Sequence, residues 1–482
     1  MSYFSKEKQN NFFIKWLGIF IILELLSGLA WRFNNLNWII LLIIALLTIF
    51  FLFKKPIYAL YIPLAEIFWG SLGHSFDYNV ISTRLLIFVL VLLIFVIKNI
   101  GQLKKIKILK DKALLRLYLF LLFFILVTAI AGYYNSYDLR KVFFDANAYI
   151  YLLYLPVWYQ VYDKKYLGNI FNMLKAAALI ITIKTLILLN IFSQDYKFLD
   201  IDSIYKWVRD TRTGEITPFK DSFFRIFMQS QFYLILAWFW LFLKQMKDFK
   251  NRNSFILLAI ISAALLVSLS RSFWLGIFVG LLFVVVNIFI YQKKRISFYI
   301  FLSLATVGIA GILLVQVFYN LPIYKNINIF TQRTTSVTEP AANTRSQLWS
   351  PMWQVIKERP VIGHGFGKQI TYQSSDPRIK NIDNPGGWTT TYAFEWGWMD
   401  QLVKGGTILV LLFVIWLIQL YYRAYLKMAI NPVLSLALTA TLTSLLIIHI
   451  FTPYINHPLG LSFLMLISII FGPYAKKDKS YY

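Results

Sequence analysis

The sequence has 482 residues, of which 59% are hydrophobic and only 15% are charged. Soluble globular domains have roughly 25% charged residues. A mean hydropathy of +0.62 and long apolar blocks, such as 38–53 and 113–131, exclude a disordered protein and argue against a soluble enzyme. Because the chain has no cysteine, disulfides, thiolate zinc sites and thiol nucleophiles are excluded. The composition predicts a polytopic membrane protein.

Apolar blocks recur along the whole chain, and about 20 such residues in a helix cross about 30 Å of hydrocarbon. We therefore predict an all-α fold with about 14 (12–14) transmembrane helices in a single integral-membrane domain over residues 1–482. The first block is predicted to be retained, because no small-residue cleavage site follows it. The predicted spans lie near 13–31, 37–53, 56–72, 84–98, 113–133, 144–162, 168–192, 225–244, 252–270, 273–291, 297–318, 400–424, 431–452 and 458–474.

Basic residues give the predicted orientation. With strict alternation of the spans, every short basic loop falls on one side, which the positive-inside rule makes cytoplasmic together with both termini. The net charge of +26 is then mostly topological, with some attraction to membrane lipids, and it indicates no nucleic-acid partner. The basic segments are Lys54-Lys55, 98–112, Lys164-Lys165, 244–252, 293–295, Arg423/Lys427 and 476–479.

Two predicted extracytoplasmic loops are long, 193–224 and 319–399. Loops of such length in a compact fold are usually functional or disordered. The second loop contains several tryptophans and tyrosines, which argues for order, and Ser346 to Lys357 has the pattern of a short amphipathic helix. We therefore expect the functional segment of the chain in 319–399.

Arginines collect on the predicted outer side. Guanidinium groups bind phosphate bidentately and stay charged when partly desolvated, so this set suits a lipid-linked phosphate or pyrophosphate. Charge flanking the spans, or contact with lipid headgroups, would explain single arginines equally well. The candidates are Arg225, Arg271, Arg333 and Arg345, with Arg140 beside the shorter loop 134–143.

The outer loops are also rich in aromatic residues, for which two explanations stay open. Tryptophan and tyrosine form belts at membrane interfaces, and their rings also stack on the apolar face of sugars. Trp349 and Trp396 are the candidates for sugar contact. The densest run comprises Trp388, Tyr392, Phe394, Trp396 and Trp398.

Acidic residues are scarce outside the membrane, and Glu395 stands just before the span at 400–424, with Asp400 five residues later. A carboxylate at an apolar interface has its charged form disfavoured, which can make it a useful base. The alternative is a carboxylate stabilised by the helix macrodipole.

Ionisable residues inside predicted spans are costly and point to function by default. Glu24, Glu66, Lys175 and Lys184 are of this kind, and they support a transporter hypothesis. They could equally form structural pairs, for example Glu66 with Lys184. The four histidines do not have metal-ligand spacing, so no metal site is predicted.

Residues 345–367 contain a recognisable pattern. Arg345 and Trp349 form an Arg-x-x-x-Trp segment, which Pro360-Val-Ile-Gly363-His-Gly-Phe-Gly367 follows. This pattern resembles the long periplasmic loop of the O-antigen ligase/polymerase family. Ser270-Arg271-Ser272 with the following Leu-Gly, and Phe224-Arg225-Ile226, are similar to two other segments of that family. The resemblance covers 205–475.

The resemblance implies an integral-membrane glycosyltransferase of the GT-C type that takes a glycan from a polyprenyl-pyrophosphate carrier. It implies an inverting reaction without metal or cofactor, with arginines on the pyrophosphate and a base on the acceptor hydroxyl. The family commonly has a histidine about eleven residues before the glycine that opens the next span. Counting back from Gly406, that position holds Glu395. The departure favours a polysaccharide polymerase over a ligase.

Together these features predict an enzyme that polymerises or transfers lipid-linked oligosaccharide at the outer face of a prokaryotic inner or plasma membrane. Glu395, Arg345 and Arg271 are the expected catalytic residues. The expected substrate-binding residues are Arg225, Arg333, Arg140, Trp349 and Trp396. The expected acceptor is a glycan or a lipid-linked glycan; a ligase acting on a lipid A core or a protein, and a lipid-linked glycan flippase, are the alternatives.

Overall fold

The computed structural model describes residues 6–70, 72–101, 106–219, 222–247, 251–292, 296–319, 329–331, 333 and 340–472. The predicted basic segments at 293–295 and 476–479 lie outside the described residues, as do parts of those at 98–112 and 244–252. Parts of the predicted loop 319–399, between 320 and 339, also lie outside them.

Most of the described chain is helical, which confirms the predicted all-α class. Three short antiparallel hairpins interrupt the helices: β1–β2 (Asp77–Tyr78, Ile81–Ser82), β3–β4 (Gly214–Pro218, Phe224–Met228) and β5–β6 (Ile370–Gln373, Trp388–Thr391). The helices are α1 (Lys6–Arg32), α2 (Leu36–Lys54), α3 (Tyr58–Trp69), α4 (Thr83–Asn99), α5 (Lys112–Tyr134), α6 (Leu139–Ile150), α7 (Tyr154–Val161), α8 (Leu167–Gln194), α9 (Ile201–Asp210), α10 (Phe232–Lys247), α11 (Arg252–Val267), α12 (Arg271–Gln292), α13 (Ile296–Tyr319), α14 (Pro340–Glu358), α15 (Gly397–Met428), α16 (Pro432–Phe451) and α17 (Pro458–Ile470).

Seven helices of the described chain are long and apolar enough to cross a membrane, judged by length and composition. They support a membrane protein, while the predicted number of about 14 spans is not reached by this criterion. Four shorter apolar helices add to them, Tyr58–Trp69, Arg252–Val267, Leu304–Tyr319 and Pro458–Ile470. The seven are Asn10–Arg32, Leu36–Lys54, Lys112–Tyr134, Lys164–Gln194, Arg271–Ile290, Gly397–Met428 and Pro432–Phe451.

The chain forms two compact units, and the first comprises Met1–Leu103, Val157–Arg333 and Lys427–Thr443. Helix α8 is its centre and packs against α1, α3, α10, α11 and α13. The small side chains of 176–178 are fully buried in α8, which lets neighbouring helices approach closely.

Two buried ion pairs stabilise the first unit. Arg84 holds Glu66 bidentately, with Nε 2.9 Å from Oε2 and Nη2 2.9 Å from Oε1. Lys184 Nζ lies 2.8 Å from Glu24 Oε2. The predicted pair of Glu66 with Lys184 is therefore wrong. Gly73 allows Arg84 to pack directly against the backbone here, because a Cβ at this positive-φ position would collide with the Arg84 side chain.

The second unit comprises Lys104–Pro156, Thr334–Leu426 and Ser444–Tyr482. Its helix α5 begins where the Asp111 side chain accepts a hydrogen bond from the Leu114 amide, an N-cap. One apolar core of this unit joins α14, the β5–β6 hairpin and the first turns of α15. Its buried members are Leu348, Met352, Ile356, Ile370, Tyr372, Phe394, Met399 and Val403.

The structure differs from the sequence prediction in the segments 144–162 and 193–224, and at the start of the predicted span 225–244. The predicted span 144–162 is divided among α6, a 3-10 turn at 151–153 and α7. Pro156 stands in the first turn of α7, where the missing N–H costs nothing, so a helix begins there instead of continuing. The predicted loop 193–224 contains α9 and the β3 strand, because Asp200 caps α9 through the Ser203 amide.

Candidate active site

Two of the predicted arginines of the first unit donate hydrogen bonds to the same turn, which connects α11 and α12. Arg225 Nε donates to the Ser268 carbonyl oxygen at 2.9 Å, and Arg333 Nε donates to the carbonyl oxygen of Leu269, also at 2.9 Å. The third predicted arginine, Arg271, is the first residue of α12. We call Ser268–Arg271 the arginine turn. Two guanidinium groups, from positions 225 and 333, thus contact a turn that contains a third arginine.

Strand β4 positions Arg225 next to the arginine turn. Arg225 lies in β4 opposite Thr217 of β3, and its guanidinium is 3.5 Å from Glu215. The sequence predicted Arg225 at the start of a span over 225–244, which is wrong, because helix α10 begins only at Phe232. Side chains 224 and 225 are half-buried and 226–228 are buried, so the strand shows no alternation that would distinguish it from the start of a helix.

The backbone of the arginine turn is unusual at Leu269. Its φ of +45° lies in the left-handed region, which a bulky residue rarely adopts, while its side chain is fully buried. Strained residues of this kind persist where surrounding contacts hold them, and they cluster at functional sites. The grip of Arg333 on the Leu269 carbonyl is one such contact.

In the second unit, the predicted catalytic residues Arg345 and Glu395 form an ion pair. Both side chains are partly exposed, at 35% and 54%. The predicted sugar-binding residues lie beside them: Trp396 Nε1 donates to the Arg345 carbonyl oxygen at 2.9 Å, and the Trp349 ring meets the Trp396 ring edge-on at 4.9 Å. The structure thus brings together four residues that the sequence proposed separately.

Helix α14 positions this pair. The predicted amphipathic helix over 346–357 is confirmed and is longer, at Pro340–Glu358. Leu348 and Met352 bury one face of α14, while Arg345 and Trp349 share a second face four residues apart. Burial raises the pKa of the nearby Tyr372 hydroxyl, and the negative charge of Glu395 raises it further.

The glycine turn, Gly363–Gly367, closes on a break in helix α15. Gly363, Gly365 and Gly367 all have positive φ, and so does Gly406 inside α15. At the break, the amides of 364 and 365 donate to the carbonyl oxygens of 403 and 404, both at 2.8 Å. The amides of 407 and 408 donate back to the carbonyl oxygens of 360 and 361, at 2.8 and 3.3 Å. This segment, which is no P-loop, is a structural clasp.

A buried ionic cluster lies beside the clasp, and the sequence analysis missed most of it. Lys404 Nζ is 2.7 Å from Asp145 Oδ1 and 2.5 Å from Asp400 Oδ1. Asn456 Nδ2 is 2.5 Å from the other oxygen of Asp400. We call Asp145, Asp400 and Lys404 the Lys404 triad. The available signal was an ionisable residue inside a predicted span, which applied to Asp145 and Lys404 as it did to Glu24.

The remaining predicted candidates lie elsewhere. Arg140 is exposed on α6 and stacks on the Phe144 ring at 5.6 Å. Among the described residues, no group of three or more acidic or histidine side chains could hold a metal ion. His364 is nearly buried in the glycine turn, with Nε2 2.8 Å from the Val355 carbonyl oxygen, and burial lowers the pKa of its imidazole.

Comparison with known proteins identifies one region. Residues 256–414, about one third of the chain, match the family described as O-Antigen ligase. The match confirms the resemblance to the O-antigen ligase/polymerase family and includes Arg271, Arg333, Arg345 and Glu395. No curated protein and no solved structure matches the chain. The family implies a membrane enzyme that transfers glycosyl groups and uses lipid-linked glycans.

Proposed function

We propose that this chain, which carries the O-antigen ligase domain over 256–414, polymerises oligosaccharide repeat units linked to polyprenyl pyrophosphate. The reaction takes place at the outer face of a prokaryotic inner or plasma membrane, in a GT-C architecture of 12 to 14 spans with both termini inside. The family match and the seven apolar helices support the general class. The glutamate at position 395, where the family commonly has histidine, supports a polymerase.

The arginine turn has the chemistry to bind the donor pyrophosphate. Arg225, Arg271 and Arg333 keep their positive charge at any physiological pH, and guanidinium groups match phosphate oxygens in planar pairs. Negative charge develops on the pyrophosphate as the glycosidic bond breaks, so cations held in place beforehand stabilise the transition state. We assign these three residues to the departing carrier, and Arg140 to a secondary contact with the substrate.

Glu395 is the proposed base. It accepts the proton of the acceptor hydroxyl while that oxygen attacks the anomeric carbon, and the polyprenyl pyrophosphate leaves with the electron pair of the broken bond. Attack from the side opposite the leaving group inverts the anomeric configuration. The chemistry of these side chains needs no metal ion. Trp349 and Trp396 flank the base and offer ring faces to the sugars.

The Arg345–Glu395 ion pair is the observation that carries this proposal. In the free protein the Arg345 guanidinium occupies the Glu395 carboxylate, so the carboxylate is not available to the acceptor hydroxyl. A pyrophosphate carries more negative charge than one carboxylate and attracts the guanidinium more strongly. A pyrophosphate group that reaches Arg345 would therefore compete with Glu395 for the guanidinium and leave the carboxylate free to accept a proton.

The test uses purified protein in liposomes with a polyprenyl-pyrophosphate oligosaccharide and no nucleotide sugar. A ladder of longer glycans with freed carrier pyrophosphate is expected. Arg345→Ala and Glu395→Ala should each lower the rate about 10²- to 10³-fold, as the loss of one electrostatic stabiliser does. Arg378→Ala is the matched control, because Arg378 pairs with Asp376 in the same unit, and it should stay within about threefold.

Other outcomes would identify the alternatives. Transfer only after addition of a lipid A core or a protein would replace polymerase by ligase. Passage of the substrate across the bilayer without transfer would favour a flippase and overturn the proposal. Unchanged transfer in both Arg345→Ala and Glu395→Ala would refute the assigned roles.

A further inference from the structure

The Lys404 triad is the most deeply buried charged cluster described in the second unit. The side chains of Asp145, Asp400 and Lys404 are at most 10% exposed. Such a cluster is often no more stable than an apolar replacement of the same volume, so its stability alone does not explain it.

Two members of the triad, Asp145 and Lys404, contact the glycine turn. Asp145 uses its second oxygen to accept a hydrogen bond from the Gly367 amide at 2.8 Å, so it connects Lys404 to the glycine turn. The backbone carbonyl of Lys404 accepts a hydrogen bond from the Gly365 amide at 2.8 Å, two residues before the α15 break at Gly406. Lys404 is therefore fixed to the glycine turn through both its side chain and its main chain.

Lys404 also reaches the segment that carries the proposed base. Its Nζ lies 5.2 Å from the centroid of the Phe394 ring, within the range of a cation–π contact. Phe394 is buried and immediately precedes Glu395. A displacement of the ammonium group would therefore shift the Phe394 ring and, with it, the backbone that positions the Glu395 carboxylate.

We propose that Lys404 is a positioning residue, which places Glu395 against Arg345 through its contacts with Phe394 and Asp145. This inference rests on the proposed function, since it assigns Lys404 a task in that same site. The ammonium group fixes the distance between α15 and the glycine turn. Its contact with the Phe394 ring in turn fixes the position of the adjacent residue Glu395. Lys404 itself touches no substrate.

Kinetics of the transfer reaction test the proposal. Lys404→Met should lower kcat about 100-fold, the usual effect of a 1 Å misplacement, with KM little changed. Lys404→Arg keeps the charge over Phe394 and should recover most of kcat. The matched control is Arg423→Met, which breaks another buried ion pair of this unit, with Asp111, at 2.6 Å. It should lower the melting temperature similarly and leave kcat nearly unchanged.

If Lys404→Met does not fold, kcat of Phe394→Leu tests the proposal instead, because this variant removes the aromatic ring and keeps the Lys404 triad. A lowered kcat with intact Lys404–Asp145 pairing supports positioning, and an unchanged kcat overturns it. Equal kcat losses in Lys404→Met and Arg423→Met would also overturn it, since general destabilisation would then suffice.

A second readout does not depend on activity. The chain has no cysteine, so Arg345→Cys with Glu395→Cys creates the only pair for a short bis-maleimide cross-linker. The cross-linking yield should fall when Lys404→Met is added and stay constant when Arg423→Met is added. An unchanged yield overturns the positioning role. Absence of transfer by the unmodified protein, with the yield falling as expected, would refute only the proposed function.

Discussion

Replacing Gly406 by alanine should unfold the clasp between α15 and the glycine turn. Gly406 has φ +65° and ψ −169°, a region that only glycine adopts without strain. Its missing Cβ also makes room for the chain opposite, because a Cβ there would collide with the carbonyl group of Val361. Alanine would thus have to change its own conformation and push 361 away.

The size of the effect follows from these two contributions. The strained backbone costs about 1–3 kcal/mol for a residue other than glycine. Moving Val361 and Pro360 breaks the hydrogen bonds from the amides of 408 and 407, and a buried group left without a partner costs about 1–3 kcal/mol. With one or two such bonds lost, Gly406→Ala should lower the free energy of unfolding by about 2–9 kcal/mol.

Thermal unfolding of the detergent-solubilised protein, followed by tryptophan fluorescence at a fixed scan rate, measures this loss. We expect a fall in Tm of about 2–9 °C, because the unfolding entropy of a chain of 482 residues is about 1 kcal/mol/K. Gly18→Ala is the matched control, because Gly18 lies within helix α1 and a Cβ there would meet no atom within 4 Å. It should not lower Tm, since alanine favours helix more than glycine does. A Gly406→Ala protein as stable as Gly18→Ala would refute the clasp.

Three further predictions concern pH, the candidate site and orientation. Burial lowers the pKa of folded His364 below its ordinary 6.5, so the unfolded chain takes up its proton first. Stability should fall as pH decreases below about 6.5, and His364→Gln should flatten the slope of Tm against pH; equal slopes would contradict this. Trp396→Phe loses the hydrogen bond to Arg345 and should lower stability by about 1 kcal/mol and slow transfer, and wild-type values for both would argue against that contact. With the proposed orientation, Ile382→Cys should react with an impermeant maleimide in intact cells, while Lys165→Cys should react only after permeabilisation; the reverse result would invert the topology.

Helix positions were largely predictable from hydropathy, and hairpins were not. The span predicted at 113–133 is the helix Lys112–Tyr134, because a continuous apolar run with a preceding Asp111 cap specifies both ends. The β3–β4 hairpin was missed because its second strand, Phe224–Met228, is as apolar as the helix that follows it. Periodicity cannot separate a short buried strand from the start of a helix.

The residues of the candidate site differed in how far the sequence could locate them. Arg345 and Trp349 were found because they belong to a motif with fixed spacing, and Glu395 because it stands where the family commonly has histidine. Their mutual contact could not be predicted, since it depends on how α14 and the segment before α15 pack around Met352 and Phe394. Sequence spacing gives candidates, while the apolar core beneath them determines which candidates meet.

Asp145 and Lys404 are 259 residues apart in sequence, and each has an opposite charge four residues earlier, Lys141 and Asp400 respectively. These local neighbours do not connect Asp145 with Lys404, so no local sequence pattern predicts their contact. Their pairing follows from the glycine turn: Gly363 and Gly365 allow backbone contact with α15 and with α5, where a Cβ would collide with Lys404 or Gly132. Close backbone approach through these glycines brings α6 and α15 within reach of one ammonium group. The glycines that resemble a phosphate-binding loop therefore allow a buried ion cluster to form, and in our proposal this cluster positions Glu395.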